Sequence, residues 1–199
     1  MPRFIHVGCG EKSQLNTTPE FKKPEWSETR FDIDESVKPD ILGSMTDMSG
    51  AETESYDALY SSHNIEHLHT HEVSIAIGEF HRVIKGDAYV VLTCPDLQQI
   101  GQYLTESRTN DLVYNSPAGP IYVLDILFGH GQSIQEGNSF MAHHTGFTIK
   151  SLMFSFTEGG FSKCIGKSRR GFFDLWLLAS KNDRPDDEMK ALAERHFPK

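Results

Sequence analysis

Short apolar runs alternate with amphipathic stretches along most of this chain. Residues 3–7 form an apolar run that enters a glycine turn, so they predict a buried strand. Residues 29–33 and 40–42 predict two more short strands, and residues 56–60 a fourth. Residues 10–27 are polar and broken by Pro19 and Pro24. They leave room only for a short helix, capped by Thr18 with Pro19 in its first turn. Residues 43–55 read as a loop. From Thr70 as a cap to about Ile84, Val73, Ala76, Ile77, Phe80, Val83 and Ile84 recur at helical spacing, and Gly86 is the expected stop. Residues 89–94 are continuously β-prone, as in a parallel strand buried on both faces, and Pro95 ends them. Thr148 is set to cap a second amphipathic helix carrying Ile149, Leu152, Met153 and Phe156, closed by Gly159 and Gly160. Two adjacent strands, 161–166 and 172–180, and a polar helix from Pro185 to His196 complete the pattern. Trp176 and Phe173 read as sheet core.

Strands that alternate with helices and end in two adjacent strands imply an α/β domain with a mostly parallel sheet and one antiparallel member. The 199 residues suit a single domain. Residues 96–146 are the exception: after some helix at 96–106 they are irregular, and a segment of that length inside a domain reads as a lid or substrate insertion.

Ligands of such sheets bind at the carboxyl ends of the strands. Two of those ends carry recognisable chemistry. Ile5-His6-Val7-Gly8-Cys9-Gly10 is a strand running into a Gly-x-Gly turn, and Arg30-Phe31-Asp32-Ile33-Asp34 is a strand ending in acids. Glycines after the first strand let the backbone approach a ligand, and an acid about 20 residues later can accept from ribose hydroxyls. The pair predicts a site for a nucleoside-bearing cofactor.

Charge narrows the partners. A net charge of −9 opposes nonspecific binding to nucleic acid or to an anionic membrane. No apolar run is long enough to span a bilayer. The first strand leaves no room ahead of it for a signal peptide, and Cys9, Cys94 and Cys164 are odd in number and widely spaced. Reduced thiols in the cytoplasm are the expected setting. The sequence leaves both a monomer and a homodimer open.

Taken together, these blocks resemble the class I S-adenosylmethionine-dependent methyltransferases, and among them the small type associated with polysaccharide and glycan biosynthesis. The matching residues are His6-Val7-Gly8-Cys9-Gly10, Phe31-Asp32-Ile33-Asp34, Ile41-Leu42-Gly43-Ser44-Met45-Thr46-Asp47-Met48, and residues 56–68 from Tyr56 to Leu68. Glu79-Phe80-His81-Arg82-Val83-Ile84-Lys85-Gly86, His144-Thr145-Gly146-Phe147-Thr148 and Gly160-Phe161 extend the likeness over about residues 3–181. The resemblance implies a Rossmann-like, seven-stranded, mostly parallel sheet with one antiparallel strand and helices on both faces. It implies S-adenosyl-L-methionine as cofactor and a small-molecule or sugar acceptor, methylated at oxygen. Val7, Gly8, Cys9 and Gly10 would run along the cofactor, Asp32 and Ile33 would meet the ribose, Ser44 and Met45 the adenine, and Ser62 and His63 the methyl side. The chain departs from the family at His6, which replaces an acid, at Glu11-Lys12-Ser13, where a third glycine is missing, and at Ser44, where an acid often stands and Asp47 is the substitute. The usual Lys-Pro-Gly-Gly turn is reduced to Lys85-Gly86-Asp87. These departures motivate a second reading, a cofactor-binding module or subunit without catalysis.

A general base for an oxygen acceptor is sought at His143 or His144, in the loop before the late helix, with Asp96 as a rival. His69, His71 and His81 read as a solvated face. His63-Asn64-Ile65-Glu66-His67 also spells the inverted zinc-protease pattern, but it follows a strand rather than sitting on a helix, which disfavours that chemistry. It is similar as well to the Glu-x-x-Glu-His block with which small-RNA 2′-O-methyltransferases and ubiquinone-pathway methyltransferases bind a divalent ion. His63 stands in place of the first acid. A metal-dependent enzyme centred on His63, Glu66 and His67 is therefore a further alternative, while the primary reading has no metal. No base is placed for Cys9 or Cys94, so both read as packing residues.

Overall fold

The computed structural model describes residues 1–116 and 119–199. Pro117 and Ala118, inside the segment read as an insertion, lie outside the described residues. Seven strands form one sheet in the order β3-β2-β1-β4-β5-β9-β8. They are β1 (Arg3–Val7), β2 (Ser27–Asp32), β3 (Ile41–Leu42), β4 (Tyr56–Ser62), β5 (Ile84–Pro95), β8 (Lys163–Arg169) and β9 (Asp174–Ser180). The first five pair in parallel, and β9 runs antiparallel to both of its neighbours. This is a Rossmann-like, mostly parallel α/β sheet.

Alternation along the central strands feeds two cores. Leu59, Val90, Leu92 and Cys94 face α1 (Thr70–Val83) and α5 (Ile149–Glu158) in the larger one. Ala58, Tyr60, Tyr89 and Val91 face Phe4, Phe21 and Met189 of α6 (Asp186–His196) in the other. Between β1 and β2 the second face has no α-helix, only a single 3-10 turn at Gln14–Asn16. Residues 18–22 make a turn rather than a helix, closed by Lys22 N–H donating to the Thr18 carbonyl at 3.1 Å. Phe21 does the work of a helix there, stacking on Phe4 at 4.4 Å. Gln14 holds the segment by donating from Nε2 to the carbonyls of Phe21, Lys23 and Trp26.

Several boundaries differ from the sequence reading. Helix α1 is capped by His69, whose N–H donates to Glu72 at 2.8 Å, and Thr70 is its first residue. The helix stops at Val83 and β5 begins at once, so Gly86 lies inside a strand of 12 residues. The reason is local pairing: Tyr56 aligns with Ile84 before a bulge restores the register from Ala58 and Tyr89 onward. Thr148 does cap α5, accepting from Ser151 N–H at 3.2 Å.

Residues 96–146 hold α2 (Leu97–Thr105), a separate hairpin of β6 (Leu112–Ser116) and β7 (Gly119–Tyr122), and two short helices, α3 (Val123–Phe128) and α4 (Gly131–Gln135). Ile100, Val123 and Ile126 bury a small core of their own. Phe173 packs against that core rather than the main sheet, with its ring 5.8 Å from Tyr103 and a left-handed backbone, φ 58°. Trp176 is partly buried against the second sheet face. No helix among the described residues is long and apolar enough to cross a membrane.

Candidate functional site

The parallel strands β1, β2, β3, β4 and β5 bring their carboxyl ends to one edge. Gly8 and Gly10 turn there with positive φ, 67° and 54°. Gly8 and Cys9 donate their N–H groups to the Phe31 carbonyl at 2.9 and 3.3 Å. That ties the turn to the end of β2. Asp32 is buried and points at the turn: Oδ2 accepts from Gly10 N–H at 2.7 Å and Oδ1 from Asp34 N–H at 2.9 Å. A carboxylate has about four acceptor positions, so hydroxyl donors can still be met. Arg30, which the sequence reading passed over, braces the loop by donating to the carbonyls of Gly10 at 2.6 Å and Lys12 at 3.2 Å.

Asn64 is the other residue missed. Its Nδ2 donates to the Val7 carbonyl, the Ser61 hydroxyl and the Ser62 carbonyl at 3.1–3.2 Å, clamping β4 to the turn. A Cβ at Gly8 would lie 2.2 Å from the Asn64 side chain, whereas one at Gly10 meets nothing. The close approach that demands glycine at position 8 is therefore within the chain, and the open side of the turn is at Gly10. Gly8→Ala is expected to destabilise the fold by about 2–4 kcal/mol, from the left-handed backbone plus the displaced amide. Thermal denaturation of the variant measures it, and an unchanged melting temperature contradicts this packing.

Ile33 is half exposed beside Asp32. Ser44 lies in a turn with its hydroxyl 2.7 Å from that of Thr46, and Met45 packs against the main core. Asp47 accepts from Ser49 N–H at 3.1 Å and lines a surface depression with Glu79 and Arg82. His6, in the family's acid position, faces away: it is buried against Glu28, Nδ1 to Oε1 2.7 Å, on the side of Tyr60. Ser62 shares a hydrogen bond with Thr93 at 2.8 Å. His63 has a left-handed backbone, φ 58°, and donates its N–H to the Thr93 carbonyl. Burial pushes the Cys9 thiol up to about 11 and the Cys94 thiol well above its ordinary value, so both stay protonated.

Next to this edge lies a cavity of about 500 Å³. The turn after β4 supplies His63, Glu66 and His67; the hairpin and α3 supply Tyr114, Ile121 and Asp125; and the end of β8, the turn after it and the start of β9 supply Arg169, Phe173 and Asp174. His143 closes the wall. It arrives because the N–H groups of His144 and Thr145 both donate to the Glu66 carbonyl, at 2.9 and 3.2 Å. Burial holds the His143 imidazole below its ordinary range, against the pull of Glu66. Burial pushes the Glu66 carboxyl up, the neighbouring His63, His67 and His143 pull it down, and the net direction is down.

Of the three candidate bases, only His143 reaches this cavity. His144 is exposed and stacks on His69 at 4.1 Å. Asp96 is buried and spent on structure: it caps α2 through Gln98 N–H and accepts from Gln99 and the Ser168 hydroxyl. His69 and His71 face solvent, as expected, whereas His81 is half-buried with its ring edge-on to Phe161 at 5.3 Å.

Residues 5–92 match the methyltransferase domain family. This match and the fold support S-adenosylmethionine-dependent methyl transfer, with S-adenosylmethionine as the cofactor. A Thermotoga maritima protein described as a possible histamine N-methyltransferase superposes with TM-score 0.59 at 13% identity, over 92% of this chain and 83% of its own. The Burkholderia thailandensis 1,6-didemethyltoxoflavin-N1-methyltransferase, solved with S-adenosylhomocysteine, gives TM-score 0.55 at 12% identity over 92% and 72%. A chain from the complex of the Haloferax volcanii Trm112 methyltransferase activator with a methyltransferase gives 0.59 at 11% over 92% and 83%. No curated protein matches the chain.

Proposed function

We propose that this enzyme methylates an oxygen of a small molecule or sugar, bound in the cavity between the β4 edge and residues 96–146. The cofactor lies along Val7, Gly8, Cys9 and Gly10, with its ribose on Asp32 and Ile33, its adenine beside Ser44 and Met45, and its methyl end at Ser62 and His63. One observation carries the reading: the cavity adjoins His63 on the β4 tip, and that tip is clamped to the glycine turn by Asn64. An acceptor there sits beside the methyl group. Its size is ordinary for a small ligand. The aromatic and charged walls suit a hydroxylated compound, and the likeness of residues 56–68 to glycan-pathway methyltransferases favours a sugar. The surplus of negative charge opposes a nucleic-acid acceptor. A cytoplasmic, single-domain enzyme with residues 96–146 as the acceptor's cover completes the reading.

The sulfonium carbon is already activated, so most of the task is to align the acceptor in line with sulfur. His143 serves the acceptor's proton. Its Nδ1 hydrogen bonds to the Ile126 carbonyl at 2.9 Å, which fixes the proton on Nδ1 and leaves the Nε2 lone pair free. His143→Gln is expected to lower turnover on a hydroxyl acceptor by about 10²- to 10⁴-fold with S-adenosylhomocysteine affinity unchanged. Turnover of a panel of sugars, phenols and amines checks both points. Methylation of amines alone, or full activity in the variant, defeats the proposal.

A further inference from the structure

The turn at the end of β4 holds a group whose burial the fold leaves uncompensated. Glu66 is 1% exposed, and neither carboxylate oxygen has a hydrogen-bond partner among the described residues. His63 Nδ1 is 3.4 Å from Oε1, at ion-pair distance but without hydrogen-bond alignment. A buried carboxyl group with both oxygens unpartnered is a position that a bound cation would satisfy. Two imidazoles stand beside it: one oxygen of Glu66 and one ring nitrogen each of His67 and His143 lie within 4.8 Å of one another. Both rings are held from behind. His67 Nδ1 is 3.0 Å from the Ala142 carbonyl and His143 Nδ1 is 2.9 Å from the Ile126 carbonyl. A carbonyl only accepts, so each Nδ1 carries the proton and each Nε2 keeps its lone pair. A backbone acceptor behind an imidazole is how proteins fix the tautomer and orientation of a metal-binding histidine.

We propose that Glu66, His67 and His143 bind one divalent transition-metal ion in the wall of the cavity, with His63 as a fourth donor at its mouth. The nitrogen-rich set favours zinc, cobalt, iron or nickel over magnesium or calcium, which prefer oxygen ligands. All four residues line the cavity, so the ion's open positions face it and can take an oxygen of the bound compound. That last role rests on the methyl-transfer reading; the ion site does not. It reassigns the His143 Nε2 lone pair from the acceptor's proton to the ion, which would then lower the pKa of a bound hydroxyl in its place.

The test is calorimetric titration of chelator-treated protein with Zn²⁺ alone, and with Co²⁺ followed by visible absorption. One equivalent per chain is expected, with a cobalt ligand-field band. Glu66→Gln and His143→Gln should each weaken binding by at least about 100-fold, while His69→Ala with His71→Ala on the exposed face should change nothing. Because the Glu66 variant can lose stability, thermal denaturation of the unaltered protein supplies a second readout, and its melting temperature should rise with stoichiometric Zn²⁺. Titration with S-adenosylhomocysteine on the same samples keeps the two questions apart. The site is overturned if the unaltered protein takes up no equivalent while still binding S-adenosylhomocysteine. It is equally overturned if binding survives both glutamine variants and disappears with His69 and His71.

Discussion

Asp32→Ala is expected to weaken S-adenosylhomocysteine binding by about 10²- to 10⁴-fold. The estimate follows from two hydroxyl bonds to a carboxylate, at about 1.5–3 kcal/mol each. The same substitution frees Gly10 N–H and Asp34 N–H, which Asp32 now holds at 2.7 and 2.9 Å. The glycine turn would loosen as well as lose its ribose acceptor. Asp32→Asn separates the two effects. It keeps one acceptor oxygen, so the backbone bonds are half preserved while the charge is lost. Affinity should therefore fall with a smaller change in melting temperature than for Asp32→Ala. Equal affinity in all three proteins would place the ribose elsewhere.

Stability is expected to fall steeply in mild acid because of His196. It is buried at the end of α6, with Nδ1 2.7 Å from the Thr18 hydroxyl and Nε2 3.0 Å from the Tyr89 hydroxyl. Burial pulls its pKa down to about 4 from an ordinary 6.5. The folded state therefore holds a neutral imidazole, while the unfolded chain takes up a proton once the pH drops below 6.5. The contribution is fully present above that value and is lost as pH falls from 6.5 to about 4, a total of about 3 kcal/mol. His143, also depressed by burial, acts in the same direction. Urea unfolding between pH 7.5 and 4.5 should show the slope. His196→Gln should be less stable at pH 7.5 and markedly flatter in acid. A variant with the parental slope would remove His196 from the account.

The elements with strong local signals were readable in advance. Thr148 caps α5 because a threonine before an amphipathic run satisfies a free N–H wherever the helix goes. The β1 turn and Asp32 were legible for a similar reason: strand order in a wound sheet puts the ends of β1 and β2 together whatever surrounds them. What escaped were contacts set by tertiary packing. Asn64 reads as an ordinary polar residue after a strand, and only the folded chain shows it filling the space over Gly8. Arg30 carries no signal of its own in the sequence, yet it holds the glycine loop. Asp96, a plausible base at a strand end, is consumed in capping α2. The meeting of Glu66 with His143 depends on the Glu66 carbonyl receiving the loop before α5, and no periodicity in residues 96–146 announces it.

A crystal structure of the protein with S-adenosylhomocysteine tests the central claim most directly. The account predicts both ribose hydroxyls within hydrogen-bond reach of the Asp32 carboxylate, the nucleoside against the open side of Gly10, and the sulfur directed toward His63. A nucleoside bound away from Asp32, with that carboxylate still occupied only by Gly10 and Asp34, would contradict it.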